Sequence, residues 1–341
     1  MSQASSVSRA ARTLALVLWV AFGAVGPAVA RPGDPLYGAS LLPTGDGWAV
    51  GGFGTILRTH DGGATWQPQA AGVTEPLFGV DFADPQHGWV VGRAGTILAT
   101  TDGGTTWRLQ PSGTTNHLFE VVALGPRQAW AIGDWGTIVA TTDGGATWQN
   151  RSLPRDVILN GMSWPDRTHG WIVGEAGSMF ATQDGGVTWA ERQSGVGKTL
   201  FAVAFETPNR GWAVGIDGLI LHTSDGGASW QVQHGDPAVA GLEQVGFAEA
   251  LGNPSLYDVA VGDGYGVAVG DNGSVFVSTD GGAQWQRVAG PAAVRLRWLR
   301  GLSLDRGGRG ILVGANGLAT AIDAARLGSR DAGEHAPQGA D

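Results

Sequence analysis

Short apolar runs broken by Gly, Asp and Pro recur along nearly the whole chain. Between residues 77 and 110 they read LFGVDF, GWVVG, GTILAT and TTWRLQ. Runs this short, rich in Val, Ile, Thr and aromatic residues and bounded by turn formers, predict β-strands. The link between the second and third runs is tiny. At Asp271-Asn272-Gly273 and Ala315-Asn316-Gly317 it carries the Asn-Gly pair favoured in tight type I′ hairpins.

The four-run pattern repeats. A box of the form T-x-D-G-G-x-T-W places aspartates at Asp61, Asp102, Asp143, Asp184, Asp225 and Asp280, with a step of 41 residues four times and then 55. A second motif, GWAVG at Gly47, returns at Gly88, Ala129, Gly170 and Gly211, with weaker copies at Gly266 and Gly310. A third begins at Leu36, Leu77, Leu118, Leu159, Leu200, Leu256 and Leu299 and so opens seven units, the seventh without a box. A period near 41 with four strands per unit indicates propeller blades. The expected fold is all-β: a seven-bladed β-propeller of four-stranded antiparallel blades over residues 31–325. No outer strand is evident for the last blade, and how the ring closes is open. Stacked helix pairs of similar period are disfavoured by the strand-like runs and by 58 glycines.

Each residue of the box has a local task. The Asp accepts N–H groups of its own turn, the two glycines permit positive φ, and the Thr or Ser adds a hydroxyl bond. The Trp opens the outer strand and packs between blades. A catalytic group is needed once, not six times around a ring, so the six box aspartates are assigned a structural role.

The front of the chain changes the setting. Arg9 and Arg12 precede an apolar run, residues 13–26, and Ala28-Val29-Ala30 gives a small-x-small cleavage pattern. This predicts a secretory signal peptide over 1–30, too short to favour a membrane anchor. Its removal takes the net charge from −9 to −11, which argues against nucleic acid and anionic membranes as partners. The chain has no cysteine, so disulfides and thiol chemistry are excluded and a large core must supply the stability. The expected location is outside the cytoplasm, in a periplasm or a thylakoid-lumen-like compartment. Residues 326–341 read as a disordered tail.

The fuller unit, G-W-x-V-G-x-x-G-x-I-x-x-T-x-D-G-G-x-T-W, resembles the photosystem II stability/assembly factor family of Asp-box (BNR) propellers, over roughly Leu36–Asp323. The resemblance implies a non-enzymatic, exported scaffold that holds a membrane-protein subunit during complex assembly, acting in photosynthesis or for another envelope complex such as a transporter. That family is associated with an arginine-lined patch, whereas the corresponding surface here reads as mixed to acidic. No cofactor or metal is expected, and a monomer is.

Candidate contact residues come from blade geometry. The turns between second and third strands share one face with the loops joining blades, and the boxes lie on the other. Phe53, Arg93, Asp134 and Trp135 stand at such turns, and aromatic turn tips are candidate contacts. Asp134, Glu175, Asp217 and Asp271 give this face a negative character. An insertion at 234–254 falls on the same face, with a possible short helix, and is followed by VRLRWLRG with Arg295, Arg297, Trp298 and Arg300. These arginines around a tryptophan are candidate binding residues, with a place in the central channel as the structural alternative.

Enzyme motifs are lacking. GVGKT at 195–199 has Arg192 where a phosphate loop needs its first Gly. His87 and His169 sit at equivalent blade positions, as a loop habit would place them. The alternative to a scaffold is a carbohydrate-active Asp-box propeller, sialidase-like or otherwise. No Arg-Ile-Pro motif supports it, and Tyr37 and Tyr257 fill a repeat position held elsewhere by Phe. A glycosidase requires two carboxyls about 5–10 Å apart in a sugar-sized cleft.

Overall fold

The computed structural model describes residues 33–237 and 253–334. The predicted signal peptide, most of the insertion with its proposed helix, and residues 335–341 lie outside the described residues. Seven antiparallel sheets form, six of four strands and a seventh of three. The inner strands are Leu36–Leu41, Leu77–Phe82, Leu118–Gly125, Leu159–Ser163, Leu200–Thr207, Leu256–Gly262 and Leu299–Leu304. Each packs against the inner strands of its neighbours, and the first packs against the seventh, so the ring closes.

Burial follows from stacking blades face to face. The second strand of each blade has both faces covered, and in GWAVG of blade one every residue is buried. Its continuous apolar run, rather than an alternation, is the consequence. The second-to-third-strand turns are type I′ as expected: Phe53, Ala94, Trp135, Ala176, Asp217, Asn272 and Asn316 all have φ between 51° and 57°, each followed by a glycine of positive φ.

The boxes do the structural work assigned to them. In blade three the Thr141 hydroxyl donates to Asp143 Oδ1 at 2.8 Å, while the N–H and hydroxyl of Thr147 donate to Asp143 at 3.0 and 2.7 Å. The Gly145 N–H donates to Thr141 Oγ1 at 2.8 Å. These bonds hold the carboxyls of Asp61, Asp143, Asp184 and Asp225 down at about 2. Asp102 and Asp280 are lowered too. In blade six Gln284 replaces the hydroxyl residue and offers Asp280 its backbone N–H.

Each box Trp packs into the seam with the preceding blade: Trp107 joins the cluster of Trp48, Val50 and Leu98, and Trp148 that of Trp89, Val91 and Ile97. Blade seven has no such Trp. The C-terminal helix, Ala324–Glu334, supplies Ala324 and Leu327 to the seam with blade six instead, against Val267, Val277 and Val288. The segment read as a disordered tail from 326 thus begins inside a helix, because the missing Trp leaves an apolar seam that the helix covers.

The seventh blade gains no outer strand among the described residues. Blade one docks on it through Leu36, Ala49, Val313 and Trp66, and Ser303 Oγ accepts the Leu41 N–H at 2.9 Å. Closure by face packing answers the question the sequence left open.

Candidate functional site

The second residue of every inner strand is pushed out of register by a bulge. These residues are Tyr37, Phe78, Phe119, Asn160, Phe201, Tyr257 and Arg300, one per blade, and with Trp298 they line a central cavity of about 650 Å³. Since inner strands start at the end where second strands finish, this rim lies on the face of the type I′ turns.

The rings form an arc. Trp298 stacks on Tyr37 with centroids 5.9 Å apart, Tyr37 meets Phe78 at 5.8 Å, and Phe78 meets Phe119 at 5.6 Å. Asn160 interrupts it, its amide donating to the Leu200 carbonyl at 2.9 Å. Phe201 and Tyr257 resume it at 5.0 Å. The guanidinium of Arg300 lies 3.8 Å from the Tyr257 ring centroid, and the Tyr257 hydroxyl donates to Asp271 at 2.8 Å. Burial, followed by the bond to Asp271, raises that hydroxyl above its ordinary range.

Next along the inner strands stand small residues in five blades, with Glu120 and Asp258 in the other two, both lining the cavity. Asp258 accepts the N–H groups of Val259 at 2.8 Å and of Leu302, in blade seven, at 2.7 Å. Deeper, Asp81 accepts from the Ser40 hydroxyl and from the N–H groups of Phe82 and Ala123, tying blades one, two and three. Burial pushes Asp258 up to about 7 and Asp81 up to about 6, against those bonds. Glu120 differs: it has no hydrogen bond or ion pair among the described residues. Burial and then the charges of Asp258 and Asp81 raise it well above the usual carboxylate range.

The sequence-predicted residues divide into three groups. Trp298 and Arg300 are channel residues, as the structural alternative had it, and both border the cavity. Arg297 is partly buried and reaches toward the Ala315 carbonyl, while Arg295 is exposed. Phe53 and Trp135 are turn tips, 66% and 60% exposed. Arg93 makes a loose 3.9 Å ion pair with Glu75, and half-buried Asp134 has an Oδ1 without a hydrogen-bond partner. Of the acidic turn residues, Asp217 is paired with buried Lys198 at 2.8 Å, and Glu175 accepts the Ile158 N–H. Sequence reasoning passed over Leu296, 88% exposed at φ 58° in the loop to blade seven, and over the ring itself. The signal for the ring was present in the Leu-Tyr or Leu-Phe start of five of the seven units.

Repeat, box and closed ring define a seven-bladed Asp-box β-propeller with an aromatic-rimmed central cavity. The family model described as photosynthesis system II assembly factor YCF48 matches residues 70–157, 146–241 and 194–289, and the chain belongs to that family. A solved structure of YCF48 bound to D1 peptide superposes with a TM-score of 0.68 at 21% identity, covering 86% of this chain and 93% of that one. YCF48 from Cyanidioschyzon merolae gives 0.66 at 21% identity, covering 87% and 98%. A streptogramin B lyase gives 0.65 at 12% identity, covering 86% and 95%. No curated protein matches. At these identities the likeness is one of fold, and a fold shared with a lyase does not choose between binding and catalysis.

Proposed function

We propose that this protein is a non-catalytic, exported scaffold that docks an extended segment of a membrane-protein subunit at its channel mouth during assembly of an envelope complex. The observation that carries the proposal is the aromatic arc from Trp298 to Phe119, open to the face that also presents Phe53, Trp135 and Leu296. Aromatic side chains offer large contact area at low entropic cost. The three large residues at the tips and loop are held at φ 55–58°, where a bulky side chain is strained, yet they are exposed. Stability alone would favour Gly or Asn there.

Family membership and the D1 peptide held by a solved relative support a polypeptide ligand. The chemistry of the channel acids supports a scaffold over a glycosidase. Glu120 and Asp258 do share the cavity, as the carbohydrate reading requires. However, Asp258 is committed to backbone N–H groups of two blades and Asp271 to the Tyr257 hydroxyl, which leaves Glu120 as the one lining carboxyl not already bonded where two are needed.

Capture from detergent-solubilised envelope, comparing wild type with Phe78→Ala and Trp298→Ala, tests the proposal. A membrane protein held by wild type and lost by both folded variants supports it. Equal recovery by all three removes the mouth as the site.

A further inference from the structure

Resting on the docking role proposed for this mouth, we infer that it recognises a cationic side chain, an arginine or lysine of the docked segment, between the aromatic faces and the Glu120 carboxylate. Three observations lead there. Ring faces carry negative electrostatic potential and attract a cation placed over them. The mouth already holds one such contact, with the Arg300 guanidinium 3.8 Å from the Tyr257 centroid. The faces of Phe78 and Phe119 border the same cavity, and no cation is placed over them among the described residues.

The second observation is the acid. Glu120 and Asp258 line the cavity, the charges of Asp258 and Asp81 both act on Glu120, and none of the three has an ion-pair partner among the described residues. Asp81 and Asp258 are satisfied by N–H groups and a hydroxyl, whereas Glu120 is not. A half-buried carboxyl in an aromatic-lined cavity, with no bond to the described residues, is a ready partner for a cation entering it. Burial and then the charges of Asp258 and Asp81 raise its pKa, as expected of a carboxyl that lacks a counter-charge.

The third observation is the balance of charge around the rim. Arg300 is engaged by Tyr257, and the His117 ring centroid lies 6.5 and 6.4 Å from those of Phe78 and Phe119. Against them stand Asp271, Asp258 and Glu120 in the cavity lining, so acidic groups outnumber basic ones there. Among the described residues an anionic segment would meet Arg300 and His117, and would desolvate beside three acids.

Isothermal titration of three short apolar peptides, identical except for a central arginine, citrulline or glutamate, tests this. Citrulline keeps the shape of arginine without its charge. The arginine peptide is expected to bind at least about tenfold more tightly than the citrulline peptide. Glu120→Gln, isosteric and bonded to nothing here, is expected to abolish that difference while the melting temperature stays within a few degrees. Equal binding of arginine and citrulline peptides overturns the inference and leaves the docking role standing. Tighter binding of the glutamate peptide overturns it in favour of recognition by Arg300. Failure of all three peptides to bind overturns both.

Discussion

The indole N–H of Trp148 donates to Gln110 Oε1 at 3.0 Å, across the seam between blades two and three. The same Gln110 amide donates to the Gly144 carbonyl at 2.9 Å, so one outer-strand residue clamps the next blade's box by two bonds. Gln69 and Gln233 repeat the clamp on Trp107 and Trp285. In blades three and four the equivalent residues are Arg151 and Arg192, and there Trp189 and Trp230 have buried, unpartnered indole nitrogens. Arg192→Gln is therefore expected to stabilise the fold by about 0.5–1.5 kcal/mol, and Gln110→Ala to cost about 1–3 kcal/mol. Urea unfolding measures both, and a destabilised Arg192→Gln protein would dismiss the clamp.

Trp135 occupies the left-handed region at φ 55° and is 60% exposed. Trp135→Gly relieves that strain, with an expected gain of about 0.5–1 kcal/mol from the turn geometry. Envelope capture by the same variant is expected to fall. Stability and binding moving in opposite directions would mark the residue as kept for contact; a loss of stability would show that the ring rests on its own blade.

Leu327 is 4% exposed and covers the seam between blades six and seven. Leu327→Ala is expected to cost about 2–5 kcal/mol, the usual range for a buried leucine. Thermal denaturation decides the matter. An unchanged melting temperature would mean the helix is dispensable.

Two sets of carboxyls oppose one another with pH. Asp81 and Asp258, pushed up to about 6 and 7 by burial, keep protons in the folded state that the unfolded chain has released, and Glu120 does the same. Stability from these groups falls as pH rises between about 4 and 7. The box aspartates, held at about 2, act in reverse: their contribution is full above about pH 4 and is lost toward pH 2. The melting temperature should peak between about pH 4 and 5, and Glu120→Gln should flatten the alkaline limb. A steady rise from pH 4 to 8 would contradict this assignment.

The blades, the box and the type I′ turns were legible in the chain because each is a local pattern repeated until chance is excluded. The ring Tyr37–Phe78–Phe119–Phe201–Tyr257 was legible as a motif but not as a site. Alternation would send every second side chain of a strand to one face, and it is the bulge after Leu36 and its equivalents that turns these rings into the channel. Leu296 gave no signal, since its exposure depends on a backbone angle that its neighbours do not announce. The role of Ala324 and Leu327 depended on a Trp that blade seven lacks, an absence visible in sequence but whose replacement was not. That Glu120 stands unsatisfied while Asp258 is bound could not be read from residues that align in every repeat.

The closing contact has one more consequence. The bond from Leu41 to Ser303 joins residues 262 apart in the chain, while the bonds that link inner strands elsewhere, such as Ala123 to Asp81, span 42. Nearly all of the topological distance in this protein is gathered into a single seam. Loop-closure entropy grows with the length enclosed, so six interfaces can form as the chain is made and the seventh only at the end. Rate and completeness of folding are thereby concentrated in the meeting of the first blade with the last, and a nascent chain short of blade seven is an open arc with two unpaired apolar faces.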